Sequence, residues 1–197
     1  MRKKDFYKRN KSLIIMSLIF IIFVIIGSCL NKINSSYIQN ISNQINEIYA
    51  YYNGDISIKD SIFVNIKEYI RYLSYIGILS LFLFTFPLAL VVFALKAMSI
   101  GYTVNTCILL LGFSSFKMCL IVFLKNIVVI PVSIILMVLS IEYVKNAFKL
   151  LKKKRQDSIV SLGKEFLLNL IIIMFISIIL QSIINIIGIG IIQFLAR

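Results

Sequence analysis

Histidine and tryptophan are absent from the chain, acidic residues number only eight, and proline occurs twice. These scarcities remove the usual general bases and most metal ligands, so catalysis by this protein's own side chains is not expected. The three cysteines, Cys29, Cys107 and Cys119, are an odd number without paired spacing, and they lie in or beside apolar segments. Neither a disulfide framework nor a metal site follows from them, and no cofactor is expected. The alternating ten-residue pattern of a membrane β-barrel is missing as well.

Long apolar runs are what the chain has instead. Hydrophobic residues make up 60% of its 197 positions, and the mean hydropathy is +0.96. Several uncharged stretches approach the roughly 20 residues that a helix needs to cross a ~30 Å hydrocarbon core. Leu, Ile, Phe and Met dominate these runs, and a helix satisfies its own backbone polar groups in lipid. The expected fold is therefore all-α: a polytopic integral membrane helical bundle of about five transmembrane helices, with a short extracytoplasmic amphipathic loop and membrane lipid as its surroundings. A net charge of +13 would suggest nucleic acid in a soluble domain. Here it reads as topology, and nucleic acid is not an expected partner.

The first eleven residues, "MRKKDFYKRNK", hold six basic groups and one acid and form a cytoplasmic tail. The run 12–30 is long enough to be a retained first span rather than a cleaved signal peptide. Residues 31–71 form the extracytoplasmic loop, in which Ile38, Ile41, Ile45, Ile48 and Tyr52, and then Ile58, Ile62, Phe63, Ile66 and Tyr69, recur at helical spacing around the "YNGD" turn. Two short amphipathic helices are expected there. The second span is predicted over 72–95 and ended by Lys96. The third, 97–111, is short, so it either crosses inside the bundle or re-enters. The fourth is predicted over 118–144, a basic loop over 145–165, and the fifth span over 166–195.

Basic residues of short loops stay on the cytoplasmic face. With five crossings, the amino-terminal tail, Lys96 and the 145–164 stretch place fourteen Lys and Arg inside, against six outside. The "KLLKKKRQ" stretch also suits anionic lipid. Nothing in the spacing fixes an oligomeric state, and a homo-oligomer is compatible with it.

Polar groups inside spans single out candidate residues. Lys125 and Asn126 interrupt the apolar run "FLKNIVVIP". A charge near the bilayer centre costs at least about 2.5 kcal/mol, so either the lysine snorkels or the pair faces other helices, near carbonyls freed by Pro131. Glu142 is near the inner end, where Lys145 or Asn146 can pair with it at helical spacing. Gly101, Tyr102 and Thr103, with Asn105, suit close helix contact and interhelical hydrogen bonds. Gln181 and Asn185 stand one turn apart on a face that points inward.

Two stretches, "FVNIKEYIRYLSYIGILSLFLFTFPLALVVFALKAMSIGYTVN" and "LKNIVVIPVSIILMVLSIEYVKNAFK", carry a resemblance. Their order and spacing resemble the stage II sporulation protein M family, bacterial membrane proteins with five expected spans. Asn65 matches an Asn before the second span, Lys96 a basic or amide residue at its inner end, and Gly101, Tyr102 and Thr103 a Gly-aromatic-Thr motif. Asn126 and Pro131 match positions in the fourth span. The chain departs from the family's pattern at Ala97, where Gly is usual, and at Leu124 and Lys125, where Pro and Gln are usual.

The resemblance implies a non-enzymatic scaffold for engulfment during endospore formation. It would anchor two peptidoglycan-degrading partners, stage II sporulation proteins D and P, in the mother-cell or septal membrane, with the amino terminus in the cytoplasm. The alternative that the residues themselves raise is a permease subunit or small-solute transporter working with a separate ATPase.

Overall fold

The computed structural model describes residues 3–30, 58–111, 123, 126–153 and 156–196. All secondary structure among these residues is helical. The elements are α1 (Lys3–Leu30), α2 (Ile58–Leu81), α3 (Phe86–Leu111), α4 (Val129–Lys152) and α5 (Gln156–Ala196). Four contain stretches long and apolar enough to cross a membrane: Asn10–Leu30, Phe86–Thr106, Val129–Lys152 and Ile159–Ile187. The fold is thus a helical membrane bundle. α2 falls short on composition, because its sequence carries Lys59, Asp60, Lys67, Glu68 and Arg71 within its first fourteen residues.

Several boundaries differ from those the sequence predicts. The stretch 72–95 is not one helix: the chain reverses at Phe82–Thr85, and Phe86–Leu111 is a single helix that runs straight through Lys96. Pro87 is the reason. Its ring would clash with the carbonyl of Leu83 in a continuous helix and it lacks an N–H, whereas in the first turn of a new helix neither matters. Thr85 completes the reversal. Its backbone N–H bonds the Phe82 carbonyl at 3.0 Å, its hydroxyl the Leu79 carbonyl at 2.7 Å, and its own carbonyl receives the Leu88 N–H at 2.9 Å. The turn is built from Phe, Leu and Thr rather than Gly or Asn, so hydropathy runs through it unbroken.

The short 97–111 segment is consequently the second half of a helix about 39 Å long, sufficient to cross a bilayer. Residues 58–71, expected within the outer loop, form the first half of α2. α4 runs from Val129 to Lys152, with Pro131 in its first turn, directly after a turn at Ile127 and Val128; most of the rest of the predicted 118–128 part of the span lies outside the described residues. The basic 145–165 stretch is largely helical, with α4 ending and α5 beginning only four residues apart. Lys149 and Lys152 in the last turn of α4 complement the negative end of its dipole. The amphipathic helix expected over 38–52 lies outside the described residues.

Pairs of contacts fix helix directions. Phe20 meets Phe93 with ring centroids 5.4 Å apart, Gly27 abuts Met98, and the Asn105 amide donates to the Ser28 carbonyl at 2.9 Å. Numbers rise together on both helices, so α1 and α3 are parallel. The Tyr143 hydroxyl bonds the Leu81 carbonyl at 3.2 Å, and Ser133 neighbours Tyr72, so α4 runs parallel to α2. Tyr143 also stacks on Phe166 at 4.7 Å, while Leu170 fills the space over Gly77 and Ser177 neighbours Tyr69; α5 therefore opposes α2 and α4.

The directions alternate along the chain, and the start of α1, the 82–85 turn and the α4–α5 connection share one end, the basic end. α4 is the central helix, with 44% of its apolar stretch buried against 17% in α1. The core gathers Met16 and Phe20, Tyr69, Leu73 and Ile76, Phe93 and Ala97, Leu136 to Val138, and Phe166 and Leu170. Apolar side chains on the outer faces of α1 and α5, from Ile14 to Ile26 and from Leu167 to Ile187, are left for lipid. Serines inside the bundle return their protons to their own helix, Ser80 to Ile76, Ser140 to Leu136 and Ser177 to Met174, which satisfies these three hydroxyl protons without a partner helix.

Candidate functional site

Gly27 and Gly101 let α1 and α3 touch backbone to backbone. A β-carbon on Gly27 would strike the Met98 carbonyl, and one on Gly101 would strike that of Val24. At this approach the Ser28 hydroxyl lies 3.1 Å from both the Val24 and Gly101 carbonyls. With the Asn105 bond, this is a small-residue seam of the kind that packs membrane helices in the absence of a hydrophobic drive. Thr103 does not join it. Its exposed hydroxyl bonds the Ser99 carbonyl of its own helix at 2.8 Å, and Tyr102 is half-buried.

Lys96 occupies a different position from the span boundary that the sequence suggests. The Phe20–Phe93 contact sets the register of α1 and α3, so that Leu13, the start of the apolar stretch, stands level with Phe86. Lys96 lies ten residues beyond Phe86 on α3, about 15 Å, which is halfway across a ~30 Å core. Arg71, next to Tyr72 on α2, stands at the same level, so α3 carries one of the deep charges among the described residues. Lys125, the residue expected to raise this question, lies outside the described residues, as does the side chain of Asn65 on α2.

Lys96 lines a cavity of about 100 Å³. Glu68, Tyr69 and Tyr72 contribute from α2, Asn126 from just before α4, Val129 from its first turn, and Gln181 from α5. The ammonium stands over the Tyr72 ring, 5.7 Å from its centroid. That distance is within the range of a cation–π attraction, about 2 kcal/mol or more where water is excluded. Glu68 is near enough to act on the lysine electrostatically, yet no salt bridge joins them among the described residues.

Tyr69 is 4% exposed; its hydroxyl neighbours Ser177, and that of Tyr72 neighbours Ser133. The two serines give their own protons to the carbonyls of Met174 and Ile130, both at 2.8 Å, which leaves their oxygens as acceptors beside the tyrosines. Gln181, 2% exposed, donates to the Asn185 side chain at 2.9 Å, which ties two polar groups of α5 into one inward face.

Of the residues singled out in the sequence, the structure brings Lys96 and Asn126 to this cavity. It sends Gly101 to the α1–α3 seam and leaves Pro131 exposed on the first turn of α4. Glu68, Tyr69 and Tyr72 were not among the candidates. Their spacing of one, three and four positions puts them on one face of a helix, a signal hidden by placing a loop boundary at residue 71. No family model, curated protein or solved structure matches the chain.

Proposed function

We propose that the protein is a non-enzymatic membrane scaffold of endospore formation, similar to stage II sporulation protein M, that recruits peptidoglycan-degrading partners of the D and P types to the septal and engulfing membrane. The two stretches that carry the resemblance include most of α2, α3 and α4, the helices around Lys96. The basic end of the bundle faces the cytoplasm in this reading, and the polar 31–57 segment and the start of α2 face outward. The observation that supports the reading is α2 itself: a helix rooted in the core by Tyr69, Leu73 and Ile76 continues toward its start past exposed Lys67 and Phe63, where the polar 31–57 segment precedes it. A rigid helix that leads out of the core to a polar segment suits docking of an extracytoplasmic partner.

Co-purification from sporulating cells tests this. Charge reversal at Lys67, or deletion of residues 34–60, is expected to abolish recovery of the hydrolases and to arrest engulfment while the protein still accumulates in the membrane. Undiminished recovery in both variants would sink the docking surface.

A second reading, a permease subunit or small-solute transporter, is supported by the cavity alone, since polar groups from α2, α3, α5 and the residues just before α4 converge midway along the bundle. Solute flux into proteoliposomes, abolished by Lys96→Ala, would favour it over the scaffold.

A further inference from the structure

The basic end of the bundle is stepped. The Phe20–Phe93 contact puts Phe84, nine residues before Phe93, at the height of Lys11, nine residues before Phe20. The α2–α3 hairpin therefore turns back where the apolar run of α1 begins, at the edge of the hydrocarbon. α4 and α5 pass beyond it. Tyr143 bonds the last carbonyl of α2 and stacks on Phe166; α4 continues nine residues past Tyr143, and α5 starts ten residues before Phe166, so each rises about 14 Å above the turn.

The two levels of the step differ in chemistry. The turn carries no charge, and its Phe82 and Phe84 are exposed, Phe84 almost completely. Exposed lysines stand near the same height on the taller helices: Lys11 on α1, Lys145 and Lys149 about 3 and 9 Å past Tyr143 on α4, and Lys164 about 3 Å past Phe166 on α5. Among the described side chains the acids nearest this height are half-buried Glu142 and exposed Glu165, so positive charge prevails. A bilayer of about 40–45 Å with a core of about 30 Å has about 5–8 Å of headgroup on each side, and a lysine stem adapts its height by a few ångström. The four ammonium groups thus reach the phosphate layer, whereas Lys152 and Lys153, about 14 and 15 Å past Tyr143, stand outside it.

We propose that this step is a binding site for anionic phospholipid: Lys11, Lys145, Lys149 and Lys164 hold headgroup phosphates, and the acyl chains cover Phe82 and Phe84 directly beneath. An acidic protein would answer the lysines and leave both phenylalanines in water, whereas an anionic lipid answers the two chemistries in one molecule. The site lies below most of the "KLLKKKRQ" run, which distinguishes it from a diffuse attraction of that run to the membrane surface. It is independent of both functional readings above, because neither fixes the lipid that is bound.

The test uses the full-length protein in nanodiscs of equal parts phosphatidylcholine and phosphatidylglycerol, at about 0.15 M salt, where charges more than about 8 Å apart are screened. The protein is released into neutral detergent, and native mass spectrometry counts the lipids it keeps. The wild type is expected to keep phosphatidylglycerol in preference. Lys145→Gln with Lys149→Gln lowers that preference about fivefold per lysine, and Phe84→Ser lowers it a few fold with every charge in place. Lys152→Gln with Lys153→Gln, the same change of charge on the same helix, lowers it less than about twofold.

Equal retention of the two lipids by the wild type overturns the proposal. So does an equal loss in the two lysine pairs, which would mean a diffuse positive field, and so does an unchanged preference in Phe84→Ser, which would leave charge acting alone. A thermal midpoint raised by soluble oligoglutamate, with no lipid preference, would assign the basic end to an acidic protein instead. Unfolding in phosphatidylcholine nanodiscs, where the variants are expected to share one midpoint, separates loss of the site from loss of the fold.

Discussion

The ammonium of Lys96 on α3 stands 5.7 Å from the ring centre of Tyr72 on α2, so a charge halfway across the bundle rests on an aromatic face rather than on a carboxylate. A pair of this kind is oriented without being neutralised.

Lys96→Met is the first consequence. Methionine has similar length and no charge, and replacing a buried charge by an apolar group of like volume is neutral or stabilising by up to about 4 kcal/mol. Thermal unfolding in detergent is expected to give an unchanged or higher midpoint. A marked loss would mean that the lysine is itself a structural element.

Gly101→Leu acts in the opposite direction. The new side chain meets the Val24 carbonyl, a backbone atom that has nowhere to move, so the cost reaches the upper end of overpacking, about 3 kcal/mol. Asn105→Ala, which removes only the bond to Ser28, is expected to cost about 0.6–1.7 kcal/mol. Unfolding in mild detergent reads both, and equal effects would contradict a backbone-to-backbone seam.

Tyr143→Phe removes one hydroxyl from the Leu81 carbonyl at the end of α2 while keeping the ring stacked on Phe166. The expected loss is about 1 kcal/mol. The double variant with Thr85→Val is expected to exceed the sum of the single ones, since both hydroxyls serve the last carbonyls of α2.

Single cysteines in a background freed of Cys29, Cys107 and Cys119 test the direction of the bundle. Phe84, 94% exposed at the 82–85 turn, and Lys153 share the basic end, so Phe84→Cys and Lys153→Cys are expected to label from the same side. Asp55→Cys is expected to label from the other. Opposite labelling of Phe84 and Lys153 would refute the alternation of helices.

Hydropathy makes the all-helical membrane character of this chain plain, and the apolar starts of α1 and α5 are visible as such. The reversal at Phe82–Thr85 is not, because an apolar turn whose carbonyls are served by Thr85 and Tyr143 leaves no dip in hydropathy; Pro87 was its one mark. A lysine next to a long apolar run looks like the end of a span, and for Lys96 that intuition fails because α3 begins eleven residues earlier than the predicted third span. The α1–α3 seam was legible in Gly101 and Asn105, whose partners Gly27 and Ser28 are some seventy positions away and emerge only in the fold. The cavity draws on four helices, and no local pattern carries that.

The parallel pairing of α1 with α3 has a bearing on how the chain is made. During synthesis α1 enters the bilayer long before Gly101 and Asn105 leave the ribosome, so for that interval it waits in lipid without its partner. Its stretch Asn10–Leu30, with a mean hydropathy of 3.1 the most apolar of the four, suits that wait, since after Asn10 and Lys11 at its start the polar side chains it carries are three serines and a cysteine. Assembly is then ordered by the chain itself: the α2–α3 hairpin arrives second and recruits the helix that was inserted first.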